Sequence, residues 1–235
     1  MKVYGERNSG TNYALRVIAA NTDAEVLPGG ASGWARHLAH RLPPSGRERV
    51  LDAWDSRFWR RNAGWKHCFI DDEIAAWIRT ADIRALAVTK HPMAWLVSLE
   101  RSPYHLADGR HRALRRERLP VAADSLLDIW RLKTERYVEL QRAGLIALVR
   151  SEDLLVDPEE ALAPAFDALC LIRTATTWTD FERSVKHDPR SQTEIRGYYA
   201  SETWRESLTG DHRQAYAQLD HDLLRSLGYL DEALD

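Results

Sequence analysis

The chain has 235 residues, with 33 Lys and Arg against 35 Asp and Glu and a formal net charge of −2. A hydrophobic fraction of 44% and a charged fraction of 29% suit one globular α/β domain over residues 1–235 and argue against disorder. The near-neutral balance excludes a general nucleic-acid binder, which needs a basic excess to displace phosphate counterions, but permits a local anion pocket.

In chain order, a short strand over 2–4 runs into Gly5-Glu6-Arg7-Asn8-Ser9-Gly10-Thr11-Asn12. A helix over about 12–20 follows, with Tyr13, Val17 and Ala20 at helical spacing. Residues 21–47, rich in Gly, Pro and Ser, read as a long loop. Val50, Trp54 and Phe58 recur every four residues and predict a helix over 49–60. Gly64 opens a second strand, 65–69, and Asp71 and Asp72 mark the capped start of a helix. The apolar run 83–89 is expected as a central parallel strand. Pro92 fits the first turn of the next helix, to about 101. Residues 102–120 read as irregular and Arg-rich. A long helix over 125–141, a fourth strand over 145–149, a helix from Pro158 to about 169 and a last helix over 211–227 complete the series. This order predicts an α/β, P-loop-like three-layer sandwich with a central parallel sheet of about four to five strands and helices on both faces. Ligands gather at the carboxyl ends of strands in such sheets.

Cys68 and Cys170 both lie in apolar runs and are expected as buried thiols in a reducing compartment. No apolar signal core follows the start, and no run reaches the length of a membrane span. A cytoplasmic protein with no membrane partner is expected.

Gly5 and Gly10 are separated by four residues between a strand and a helix, the spacing of a phosphate-cradling loop. Such glycines let backbone N–H groups turn inward, and the helix start adds positive potential. Thr11 and Asn12 occupy the places of the Lys and Ser/Thr that a nucleoside-triphosphatase uses on phosphate and magnesium. The cradle is kept while that chemistry is lost. His37 and His40 lack further ligands for a metal site, so no metal is expected.

The string 5–13 resembles the 5′-phosphosulfate loop of sulfotransferases that use 3′-phosphoadenosine 5′-phosphosulfate (PAPS). The resemblance implies that Arg7, Asn8, Ser9, Gly10, Thr11, Asn12 and Tyr13 bind this co-substrate. Asn8 stands where better-known members carry Lys, so Arg7 or Lys66 is expected to supply the cation. Lys90-His91-Pro92 through Ser98 resembles the segment R-x-P-x-D-x-x-x-S that holds the 3′-phosphate, with Lys90 for Arg and Ser98 eight residues later. Lys is a point charge without the Arg fork. Taken alone, each is also an ordinary strand-end lysine or a helical serine bonded to its own backbone. Residues 150–158 resemble a Y-E-D-L-x-x-D-P segment with Ser151 for Tyr, while Asp157 reads as a helix cap. Thr179-Asp180-Phe181 resembles an adenine-contacting T-S-F element. Arg196-Gly197 resembles the late R-K-G segment over the 3′-phosphate.

Trp65-Lys66-His67-Cys68 stands where the family carries K-T-H, which implies His67 as base. An imidazole pKa of about 6.5 suits proton removal from a hydroxyl. Lys66 can neutralise charge on the leaving phosphate. Because adjacent strand residues face opposite ways, the strand is expected to end at His67 or Cys68. Trp34, Trp54 and Trp59 are candidate walls of an acceptor pocket or core residues. The run of arginines at 112, 115, 116 and 118 reads as a solvated face or a lid. The resemblance implies transfer of a sulfuryl group to a hydroxyl or amine of a small acceptor. A nucleotide-dependent kinase or NTPase, and a non-catalytic anion-binding protein, are the alternatives.

Overall fold

The computed structural model describes residues 1–31, 33–102, 115–181 and 190–230. The elements in chain order are β1 (Lys2–Gly5), α1 (Thr11–Asn21), α2 (Gly33–His40), α3 (Pro44–Arg57), α4 (Asp72–Thr80), β2 (Ala85–Thr89), α5 (Pro92–Arg101), α6 (Leu126–Arg142), β3 (Ala147–Arg150), α7 (Ser151–Val156), α8 (Pro158–Ala168), α9 (Gln192–Ala200), α10 (Gly210–Ala217) and α11 (His221–Ser226). Short 3-10 turns at Trp59–Arg61, Arg115–Glu117 and Thr203–Ser207 link them.

The strands form a parallel sheet in the order β1-β2-β3, with Val3 opposite Leu86 and Leu86 opposite Ala147. Successive strand side chains face opposite ways. Val3, Leu86, Val88, Ala147 and Val149 pack with Tyr13, Val17 and Ile18 of α1 and Leu162 and Phe166 of α8. Tyr4, Ala85 and Ala87 face Ile74 and Ile78 of α4 and Tyr137 and Leu140 of α6. The layers are therefore helix, sheet, helix. A third apolar cluster joins Trp95 of α5 and Trp130 of α6 to Trp204, Tyr216 and Leu224 near the end of the chain.

Several expectations change. Among the described residues the sheet has three strands, because 65–69 is not a strand. Ala63 and Gly64 take positive φ values of 51° and 82°, and Cys68 N–H closes a turn on Trp65 O at 2.8 Å. Both features break an extended backbone. The expected loop over 21–47 contains α2 and the start of α3; its Pro and Gly residues border these helices, with Pro43 at the N-cap of α3. The last expected helix is two, since Asp220 interrupts it and its carboxylate caps Asp222 N–H at 2.8 Å. Cys68 is buried, but Cys170 is exposed on the turn after α8. Other expected ends hold: Asp71 caps α4, and Ser125 and Asp128 form a capping box on α6. No described helix is long and apolar enough to cross a membrane.

Candidate functional site

The loop between β1 and α1 lies at the carboxyl end of the sheet. Gly5 has φ 152°, and a Cβ there would sit 2.5 Å from Val88 O and 2.8 Å from Ser9 Oγ. The tight start of the loop therefore requires glycine. Ser9 is fully buried and donates through Oγ to Glu6 O at 2.7 Å, so its hydroxyl builds the turn. Gly10, at φ 84°, is the N-cap of α1, and no side chain caps that end. The first backbone bond of the helix joins Ala14 N–H to Gly10 O at 3.0 Å. The N–H groups of Thr11, Asn12 and Tyr13 precede it and face out of the helix end, as an anion needs.

Asn8 does not point into this cradle. At φ 63° it turns its amide to Ser98 O at 3.1 Å and Ser102 O at 3.3 Å, closing the C-terminal end of α5. The cationic place lies across the loop, where Lys66 Nζ donates to Asn12 Oδ1 at the start of α1. Its stem packs tightly on Gly29, whose added Cβ would meet Lys66 Cδ at 2.7 Å. The Arg7 guanidinium lies 4.8 Å from the Trp65 ring centre. Its backbone carbonyl accepts from Trp95 Nε1 at 2.8 Å.

His67 is buried, with Nδ1 2.6 Å from Gly5 O. A carbonyl only accepts, so Nδ1 carries the proton and Nε2 the lone pair. Burial, and then the nearby Lys66 and Arg7 charges, push its pKa well below the ordinary value. The ring is therefore neutral at physiological pH, in the protonation state of a base. The turn at 65–68 lets both consecutive side chains reach the loop.

On the other flank, Lys90 is 1% exposed and Ser98 is eight residues further along α5. Lys90 Nζ donates to Ser98 Oγ at 2.7 Å. It also donates to Tyr199 OH at 2.6 Å and to Asn8 O at 3.3 Å. Glu152 accepts from His91 N–H and from Tyr229 OH, each at 2.9 Å. Burial raises the Glu152 pKa and the Lys90 charge opposes that rise.

The late motifs meet the first helix one turn on. Tyr13 OH donates to Asp180 Oδ1 at 2.6 Å, and Arg196 pairs with the other oxygen of the same carboxylate. Phe181 lies beneath the Arg16 guanidinium at 4.0 Å. Gly197 is exposed inside α9, and a Cβ there would meet nothing within 4 Å. No close approach in this structure demands glycine at that position.

Of the Arg-rich run, Arg112 lies outside the described residues and Arg115 is exposed, but Arg116 and Arg118 are not part of a solvated face. Arg116 is 3% exposed, pairs with Glu48 and Asp55, and stacks 4.1 Å from the Trp65 ring. Arg118 pairs with Asp71 and Glu73. Trp54 and Trp59 are half-buried and Trp34 is 61% exposed with its edge against Trp54, so none is fully enclosed core. Among the described residues no cluster of three His, Cys, Asp or Glu side chains could hold a metal.

Two participants, Lys133 and Tyr199, escaped the motif reading. Lys133 reaches from α6 to Glu6 at 3.1 Å and to His67 O at 2.7 Å. It falls on the buried stripe with Ile129, Trp130 and Tyr137, and a lone lysine in such a stripe is the signal that could have found it. Tyr199 joins only through tertiary contacts.

No family model and no curated protein matches this sequence. Among solved structures, the chain is similar to a sulfotransferase domain from a Synechococcus olefin synthase at 19% identity, covering 97% of this chain and 92% of that one, with a TM-score of 0.42. It is also similar to a sulfotransferase domain from the curacin biosynthetic pathway at 12% identity, covering 98% of both chains, with a TM-score of 0.43.

Proposed function

We propose that this chain is a sulfotransferase that moves a sulfuryl group from PAPS to a hydroxyl or amine of a small acceptor. The observation that carries the reading is one anion cradle with two unlike flanks. A neutral His67 and the Lys66 ammonium stand on one side, and the buried Lys90 with Ser98 and Tyr199 on the other. A loop that only Gly5 can start, together with an uncapped helix end, fits a phosphate-type group. A second anion-seeking lysine fits a ligand with two separate phosphates. Thr11 and Asn12 leave the cradle without the Lys and Ser/Thr of triphosphate chemistry.

In this reading Thr11, Asn12 and Tyr13 present N–H groups to the 5′-phosphate side, with Asn8 shaping the loop. PAPS supplies the activated sulfuryl group when bound. His67 Nε2 takes the acceptor proton, while Lys66 and the start of α1 stabilise negative charge on the leaving phosphate. Phe181 and Arg196 border the adenosine side, and Gly197 follows them in α9.

Thermal shift with adenosine 3′,5′-bisphosphate, ATP and GTP tests the ligand class. Stabilisation by the bisphosphate above the triphosphates is expected; stabilisation by a triphosphate alone overturns the reading in favour of a kinase or NTPase. Turnover of PAPS with phenols, sugars and small metabolites, read as bisphosphate release, tests the reaction. Bisphosphate binding without release of product on any acceptor reduces the chain to a nucleotide-binding protein.

A further inference from the structure

Tyr199 lies in α9, outside every motif visible in the sequence, yet it completes the hydrogen bonding of Lys90. The ammonium has three N–H donors and no acceptor. Its three directions go to Ser98 Oγ, Tyr199 OH and Asn8 O at 2.7, 2.6 and 3.3 Å. Both hydroxyls therefore accept from it. Ser98 gives its own proton to Ala94 O at 2.8 Å, one helical turn back. Its hydroxyl is engaged on both sides and has no proton left for a ligand. Tyr199 is half-buried, and its phenolic proton has no acceptor among the described residues. The neighbouring charge also polarises that O–H and strengthens it as a donor.

We infer that Tyr199 O–H is the ligand-facing donor of the Lys90 subsite, directed at the 3′-phosphate of a nucleoside 3′,5′-bisphosphate, and that Ser98 is an internal strut orienting Lys90. The inference rests on the function proposed above and changes which hydroxyl meets the ligand. The Lys90 bond to Asn8 O, the longest of the three, is the one a phosphate oxygen replaces. Lys90 Nζ lies 4.9 Å from the Tyr199 ring centre, at the hydroxyl end of the ring, so the contact between them is the hydrogen bond to the phenol oxygen. Tyr199 also borders a cavity of about 900 Å³, in whose lining five Asp and Glu side chains outnumber Arg150 and Arg205. Those carboxylates disfavour a phosphate within it.

Calorimetric titration of adenosine 3′,5′-bisphosphate and adenosine 5′-monophosphate into wild type, Tyr199→Phe and Ser98→Ala separates the two hydroxyls. Wild type is expected to bind the bisphosphate more tightly. Tyr199→Phe keeps the ring; it is expected to fold but to melt below wild type, because the buried Lys90 loses one acceptor, to lose about 10-fold or more in bisphosphate affinity, and to hold the monophosphate unchanged. Ser98→Ala is expected to lose less. The inference is overturned if Tyr199→Phe leaves the bisphosphate unaffected or weakens both ligands alike. It is equally overturned if Ser98→Ala costs as much as Tyr199→Phe. A wild type with no preference for the 3′-phosphate removes instead the function on which the inference rests.

Discussion

On the Lys90 flank of the cradle the backbone is a central strand running into a helix: β2 is bonded to β1 and β3, and Pro92 begins α5. On the His67 flank the chain has left the sheet. There Lys66 O accepts from Gly5 N–H at 3.0 Å, Gly64 O from Lys2 Nζ at 2.7 Å and His67 O from Lys133 Nζ at 2.7 Å. Pro28 O, beside them, accepts from Lys2 Nζ at 2.7 Å as well. Buried carbonyls need partners. Beside β1 two buried lysines supply the donors that a further strand would have supplied. This gives the site what a strand cannot, since alternation would send Lys66 and His67 to opposite faces. The regular flank carries one lysine bonded in three directions, and the irregular flank brings Lys66 and His67 to the same loop.

The contrast is broken first at His67. His67→Ala is expected to lower kcat about 10²–10⁴-fold, the scale of a lost general base, with bisphosphate affinity intact. Full turnover by the variant would place the base elsewhere and leave the turn with a structural role only. Next is the lysine beneath it. Lys133→Met strands the Glu6 carboxyl, whose pKa burial already raises, and leaves His67 O without its donor. Removing one partner of a buried pair costs about 3–5 kcal/mol, so urea unfolding is expected to show a loss of that size. A loss below about 1 kcal/mol would mean that the turn holds itself.

The regular flank was legible in the sequence because its signals are local. An apolar run and a proline in the next turn give β2 and α5. The cradle was legible for the same reason, from Gly5 and Gly10. The His67 flank misled because 65–69 has strand composition, while its conformation follows from positive φ at Ala63 and Gly64 and from Lys2, bonded to Gly64 O 62 residues on, and Lys133, bonded to His67 O 66 residues back. The conformation of 65–68 does settle the expected conflict of direction, since the bend at Cys68 N–H lets both side chains reach the loop. Arg116 and Arg118 misled likewise: a cluster of arginines reads as solvated until Glu48, Asp55, Asp71 and Glu73 arrive from α3 and α4. Tyr199 had no local signal, because its role comes from the docking of α9 beside Lys90.

The smallest expected effect sharpens the contrast without touching the reaction. Lys2 is fully buried at the base of the irregular flank, and burial lowers its pKa from the ordinary 10.5 to about 7. The unfolded chain keeps that proton until about pH 10.5, whereas the folded chain gives it up near 7. Between those values the unfolded state binds more protons, so raising the pH favours folding; the penalty is full below 7 and fades toward 10.5. One proton gives a slope of at most about 1.4 kcal/mol per pH unit. The neutral amine still has two N–H groups for Pro28 O and Gly64 O, so deprotonation keeps both bonds. Burial pushes the Cys68 thiol up to about 12, and its ionisation in the unfolded chain works the opposite way above about pH 9. The clean window is therefore pH 7 to 9. Urea unfolding of wild type and Lys2→Met at pH 7, 8 and 9 is expected to show wild type gaining stability relative to the variant as the pH rises. A difference that does not change with pH would mean that Lys2 keeps its charge in the folded chain, and that the irregular flank is held by an ion and not by an amine.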